Sequence, residues 1–163
     1  NASASDELRV YEHWEYGLAD DDVYIAHVGA VPPLMGTPIG TFSLLCSREI
    51  GQANFVIWMR KDTFVEESES YTVSMFINSG PMIEVQVTPI GSHALKVDVF
   101  DHKYDGGALI DAIRSGIGLW IYIDGVNKSA QAVFDIRGAS LPINHILNKC
   151  FGGNDIDDLD TVG

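Results

Sequence analysis

The chain has 163 residues, 46% of them apolar, a proportion that builds one globular core and excludes disorder throughout. Its 10 lysines and arginines stand against 23 acids, and the net charge of −13 argues against phosphate-backbone recognition and against docking on an anionic bilayer, which both need clustered cations. The best apolar stretch, from Val23 onward, is broken by His27, Pro32, Pro33 and Pro38, so no helical membrane span is expected.

The chain opens on Asn1, and Ala2-Ser3-Ala4 has the small-residue character of a signal-peptide cleavage site, so the start reads as a mature exported form or as an artificial beginning. Residues 1–8 are small and polar and are expected to be a disordered N-terminus, residues 9–151 a single β-rich domain, and residues 152–163 a flexible acidic tail. Within the domain, Arg9–Tyr16 is rich in aromatic and β-favouring residues and predicts a strand, closed by Gly17 and Asp20-Asp21-Asp22. A second strand covers Val23–Val28. Gly29–Gly40, with its prolines and glycines, reads as a long connection without a helix.

The middle of the chain alternates with period two. Phe42, Leu44 and Cys46 interleave with Ser43 and Ser47, and Ala53–Arg60 is a continuous apolar run that should be covered on both sides. Tyr71, Val73, Met75 and Ile77 alternate with Thr72, Ser74 and Asn78; after the Ser79-Gly80-Pro81 turn, Ile83, Val85 and Val87 alternate with Glu84, Gln86 and Thr88. Leu95, Val97 and Val99, opposed by Lys96 and Asp98, give the next strand. Ala108–Arg114, between Gly106-Gly107 and Gly116, suits a short helix. Gly118–Ile123 and Ala130–Ile136 then flank a hairpin connection that starts on Asp124-Gly125. The last element is an amphipathic helix: Ser140 can cap it, Pro142 is tolerated in its first turn, Ala139, Ile143, Ile146, Leu147 and Cys150 form one stripe, and Gly152-Gly153 ends it.

Two cysteines, Cys46 and Cys150, are too few for a cystine-dense miniprotein and too far apart for a metal knuckle. They form either one long-range disulfide, tying the last helix to the sheet, or two buried thiols; the exported character favours the bridge.

Motifs that carry chemistry are mostly missing. H-E-x-x-H, C-x-x-C and the P-loop are absent, and Gly116-Ile117-Gly118 lacks the third glycine of a dinucleotide fingerprint. Gly138-Ala139-Ser140-Leu141-Pro142 begins like a nucleophile elbow, but Pro142 replaces the closing glycine and Ser140 is better read as a helix cap. No catalytic residue is assigned. Asp98, Asp101, His102 and Asp105 are weak candidates for a hard cation, and the tail aspartates Asp155, Asp157, Asp158 and Asp160 superficially resemble a calcium loop without its glycine and its bidentate glutamate. Calcium is therefore a minor alternative to no cofactor at all. Glu12 with Glu15, and Glu66, Glu67 and Glu69, are paired carboxylates of the kind a glycosidase uses, although many acids make such pairs common. His145 is expected on the surface of the last helix. In Gly118–Ile123, Leu119, Ile121 and Ile123 share one side and leave Trp120 and Tyr122 on the other. That pair either completes a core, the commoner fate of aromatics, or stands exposed as a ligand-stacking platform for a sugar ring or a proline-rich partner.

Several segments carry a family likeness. Trp14 followed by Asp20-Asp21-Asp22-Val23, FSLLC ending in Cys46, VIWMRKD through Asp62, and AVFDIRGASLPINHILNKC ending in Cys150 resemble a loose family of exported bacterial β-proteins. Its members include the invasion-associated protein B group and a periplasmic accessory protein of type VI secretion. The likeness spans about Trp14–Cys150, and its most specific part is a strand ending in F-D-x-x-G before a helix that closes on a cysteine. The resemblance implies a secreted or periplasmic sandwich-like domain, a C-terminal helix packed on the sheet, a Cys46–Cys150 pairing and no established enzymatic activity. The proline-rich Gly29–Gly40 stretch and the Asp-rich tail depart from its pattern.

The expected fold is mostly β, a sandwich-like or strongly curved antiparallel sheet with a short helix near 106–115 and a C-terminal helix near 140–150. The expected function is an exported, periplasmic or secreted, binding or accessory role without catalysis, toward a protein or glycan partner in the envelope or extracellular space. A small glycan-directed hydrolase, a carbohydrate-binding sandwich and an inhibitor of a cationic lytic enzyme are the alternatives; nucleic acid and membrane insertion are not expected.

Overall fold

The computed structural model describes residues 7–31, 37–60, 64–100 and 106–151. Most of the expected N-terminal disorder (1–8), all of the acidic tail (152–163) with its four aspartates, and Asp62, Asp101, His102 and Asp105 therefore lie outside the described residues. Twelve elements follow in chain order: β1 (Arg9–Tyr11), β2 (Trp14–Asp20), β3 (Val23–Gly29), β4 (Ile39–Ser47), β5 (Gln52–Met59), β6 (Thr72–Ile77), β7 (Ile83–Ile90), β8 (Ala94–Phe100), α1 (Gly106–Arg114), β9 (Gly118–Gly125), β10 (Lys128–Asp135) and α2 (Ser140–Phe151).

The strands form one ten-stranded sheet in the order β1-β2-β3-β4-β5-β8-β7-β6-β9-β10. Every neighbouring pair is antiparallel. Chain order is broken twice, where β5 pairs with β8 and where β6 pairs with β9. The meander β6–β8 is thereby laid into the sheet backwards, and α1 lies in the connection that returns the chain to β9.

The sheet curls without closing. The Val31 N–H donates to the Val133 carbonyl at 2.7 Å, and the Thr37 hydroxyl donates to the Gln131 carbonyl at 2.7 Å, so Val31 and Thr37 meet the outer edge of β10. Curling brings the inner faces of the two halves together: Phe42 of β4 stacks on Phe55 at 5.1 Å and meets Phe134 of β10 at 5.9 Å. Trp14, Phe42, Ile57, Met75, Leu119 and Phe134 belong to this core, each at 0% exposure. Burying side chains of this size is the main favourable term in the fold, about 1.5–3 kcal/mol for each aliphatic or Phe side chain. As the continuous apolar run predicts, Phe55, Val56 and Ile57 are all buried although they alternate sides.

The helix α2 lies on β2, β3 and β4. Ile143, Ile146 and Cys150 are buried on its underside, and Cys150 is bonded to Cys46 of β4 across 104 residues, with the Cα atoms 6.2 Å apart. The predicted bridge between helix and sheet is present. A third tie is the Trp14 indole N–H, which donates to the Ile136 carbonyl at 3.2 Å and joins β2 to the start of the α2 connection.

Four local expectations are corrected. Arg9–Tyr16 is a hairpin rather than one strand, because Glu12 adopts a φ of 55° and turns β1 back on β2. The β9–β10 turn is Val126-Asn127 rather than one starting on Asp124-Gly125: β9 runs on to Gly125, which pairs with Lys128, and Asn127 takes the positive φ of 59°. Gly125 answers to packing instead, since a Cβ there would sit 2.8 Å from the Tyr71 ring. At α2, Ala139 and not Ser140 occupies the cap position, its carbonyl accepting the first helical bond from Ile143 at 3.0 Å. His145 is buried, at 1% exposure, edge-on to Tyr16 at 5.0 Å; the buried face of α2 is wider than the stripe that its aliphatic residues mark.

Two outcomes are expected in urea denaturation. The double substitution Cys46→Ala/Cys150→Ala should lower stability by up to about 4.7 kcal/mol, the chain-entropy value for a loop near this length; an unchanged midpoint would contradict the clamp. Gly138→Ala should cost more than about 1 kcal/mol, because φ is +77° and the added carbon would lie 2.7 Å from the Tyr11 ring; a neutral substitution would contradict this packing.

Candidate binding face

Burial sets the parity of β9. Leu119, Ile121 and Ile123 each have 0% exposure, so period two turns Trp120 and Tyr122 to the opposite side of the sheet. Among the described residues no helix or loop covers them there: Trp120 is 41% exposed and Tyr122 38%. Of the two fates open to this pair, core or surface, the commoner one is overturned. The reason is positional, since α2 packs on the inner face of β2–β4, the face that Cys46 shares with Phe42, and so adds to the core on the side opposite these two rings.

Register extends the pair into a platform. One row across β7, β6, β9 and β10 holds Glu84, Ser74, Tyr122 and Gln131; the next holds Gln86, Thr72, Asp124 and Ser129; on the other side, Phe76, Trp120 and Val133 align. The two rings of β9 stack with centroids 5.8 Å apart and planes 4° from parallel, and Phe76 meets Tyr122 edge-on at 6.0 Å. The Trp120 indole N–H donates to Gln131 Oε1 at 3.1 Å, which fixes the orientation of the indole. The result is a flat aromatic strip held rigid before any ligand arrives and flanked by hydroxyl, amide and carboxylate groups. Such a surface can stack on a planar or ring-shaped group and hydrogen-bond its edges.

A groove of about 430 Å³ opens beside this platform where β6 begins, lined among others by Glu69, Tyr71, Thr72, Glu84, Gln86 and Thr88. Its wall is stiffened by Lys128, whose ammonium lies 5.3 Å from the Phe64 ring centre and 5.5 Å from that of Tyr71, and 3.4 Å from Glu69 Oε2 and 3.5 Å from Glu66 Oε2. The Tyr71 hydroxyl accepts the Glu66 N–H at 2.8 Å and donates to the Phe64 carbonyl at 3.2 Å, tying the 64–71 segment together. Glu69 is held below the ordinary 4.5, first by a hydrogen bond with the Glu66 carboxyl, which prevails over the opposing desolvation, and then by Lys128 and Tyr71. Desolvation pulls Lys128 down, but Tyr71 and Glu69 outweigh it and hold the ammonium above 10.5.

The other sequence candidates are not brought together. Asp98 pairs with Lys96 at 3.4 Å and accepts from the Thr88 hydroxyl, and among the described residues no group of three or more metal-ligating side chains forms. Asp101, His102 and Asp105 lie outside the described residues. Glu12 sits in the β1–β2 turn while Glu15 Oε1 accepts from His27 Nε2 at 2.9 Å, so the two carboxylates are not brought together as a pair. Phe76, Gln131 and Glu84 join the platform without having been singled out from the sequence. Alternation places each on the polar side of its own strand, but only the β7-β6-β9-β10 register makes them neighbours.

No protein-family model matches the chain, and no curated protein sequence matches it significantly. Among solved structures it is similar to the crystal structure of invasion associated protein b from Bartonella henselae, at a TM-score of 0.57 and 16% identity, over 86% of this chain and 96% of that one. At that identity the likeness shows the fold alone. No helix among the described residues is long and apolar enough to cross a membrane.

Substitution should separate platform from core. Trp120→Ala and Tyr122→Ala are expected to change stability in urea by less than about 1 kcal/mol, whereas Phe134→Ala should cost about 3–5 kcal/mol; equal losses would place the two rings in the core. The acid limb tests Glu69: its contacts are intact above pH 4.5 and are lost as the pH falls through its lowered value. The stability gap between Glu69→Gln and the natural chain should therefore narrow below that pH, and a gap that widens would contradict the ionised pairing.

Proposed function

We propose that this chain is an exported binding or accessory protein that works without catalysis and meets its partner on the outer face of β6, β9 and β10. One observation carries the reading: two stacked aromatic rings, both more than a third exposed, on a platform already fixed by Gln131 and Phe76. A rigid aromatic strip gives contact area at little entropic cost, which is why such residues dominate binding hot spots. The Cys46–Cys150 bridge supports an oxidising, periplasmic or secreted location, where disulfides persist. The fold shared with an invasion associated protein supports an accessory role.

The hydrolase alternative needs one carboxyl kept protonated near neutrality by a raised pKa. In the groove, Glu69 is shifted the opposite way, so it is poorly suited to act as the acid. A carbohydrate-binding role uses the same rings, with Ser74 and Gln131 in the Tyr122 row placed to hydrogen-bond a sugar, and competes at the same face.

A photo-crosslinking side chain placed at Gln131, in the cells or fluid from which the protein comes, tests the face against one placed at exposed Glu67. Position 131 should give a discrete adduct that untagged protein competes away and Trp120→Ala abolishes. Identical adducts from both positions, or no adduct together with measurable glycan hydrolysis, would contradict the proposal.

A further inference from the structure

We infer that the occupant of this face is a basic polypeptide segment, which lays an arginine or lysine side chain over Trp120 and Tyr122 and pairs it with Asp124 or Glu84; this rests on the face being the binding site. Charge carries the inference. The three aligned rows contain two carboxylates, Asp124 and Glu84, and no lysine, arginine or histidine. Cations at the margin are engaged already: Lys128 with Glu66 and Glu69, Lys96 with Asp98, and Arg137 with Asp135 at 2.7 Å. Among the described residues neither Asp124 nor Glu84 has a cationic partner, although both flank the rings.

The spacing fits one side chain reaching both features. Asp124 follows Tyr122 by two residues on the same strand, roughly 7 Å, and Glu84 lies two strands away, roughly 10 Å. A guanidinium stacked on the rings gains a cation–π contact and can reach either carboxylate through its fork of N–H groups. An uncharged ligand covering the same surface would desolvate both carboxylates without neutralising them, which is costly. A second copy of this chain, at net −13, brings the wrong sign. The groove beside the platform offers Glu84 again from its wall, and its volume of about 430 Å³ leaves room for a neighbouring side chain of the same segment.

Calorimetry on the full chain with three probes tests this: a short peptide of alternating arginine and proline, its citrulline counterpart, and a neutral chitin oligosaccharide. The arginine peptide should bind about tenfold or more tightly than the citrulline peptide and weaken as salt rises. Asp124→Asn/Glu84→Gln should lose about tenfold, Trp120→Ala a similar amount, and the distant charge-matched control Asp21→Asn/Asp22→Asn less than about twofold. Equal losses in the control would reduce the effect to net charge and overturn the inference. Citrulline peptide or oligosaccharide binding as well as the arginine peptide, and lost in Trp120→Ala, would overturn the basic partner while leaving the face intact as a binding site. Failure of every probe would also overturn it, and the crosslink at position 131 then decides the face separately.

Discussion

The burial of Leu119, Ile121 and Ile123 inside the curled sheet is the constraint on which the rest of this molecule's surface depends. A strand cannot bury three alternate side chains without presenting those between them to the other side, so the core chooses where Trp120 and Tyr122 go. The core in turn exists because the sheet curls until β10 meets Val31 and Thr37 and Phe134 meets Phe42. A flat sheet of the same ten strands would have no interior on that side for β9 to face.

The helix α2 and the Cys46–Cys150 bridge complete the inside of the curled sheet. By lying on the inner face of β2, β3 and β4, the helix adds Ile143 and Ile146 to the core, and the disulfide holds it there against a long loop's worth of unfolded-state entropy. The half built from β6, β7, β9 and β10 keeps its outer side in solvent. Its aromatic strip follows from the parity of β9, and it is also rigid, since Gln131, Phe76 and the ring stack leave little freedom to lose on binding. The aromatic and acidic cluster of Phe64, Tyr71, Glu66, Glu69 and Lys128 braces the adjoining edge.

Much of this architecture is legible in the sequence because period two is a local property. The alternation in Tyr71–Ile77, Ile83–Val87 and Gly118–Ile123 identifies both the strands and their inward residues, and the stripe ending on Cys150 identifies the last helix. What is illegible is relational. Nothing local says that β5 pairs with β8 or β6 with β9, yet those pairings alone bring Glu84, Ser74, Tyr122 and Gln131 into one row. Whether Trp120 and Tyr122 are core or surface depends on which face of the sheet α2 covers, and it covers the inner one, a fact that the alternation within β9 does not announce. His145 misleads for the same reason: a polar residue on an amphipathic helix reads as exposed until the neighbouring Tyr16 ring widens the buried face. Turn residues mislead in a smaller way, since Glu12 and Asn127 adopt left-handed conformations that the strand pattern around them does not announce.

Solvent access to Trp120 tests this account most directly, read by acrylamide quenching in a chain whose other two tryptophans, Trp14 and Trp58, are replaced by phenylalanine. The account requires red-shifted emission that acrylamide quenches readily in the folded protein, with a quenching constant close to that of the unfolded chain. Blue-shifted emission that resists the quencher until the protein unfolds would put the indole under another layer, reverse the parity of β9 and remove the platform.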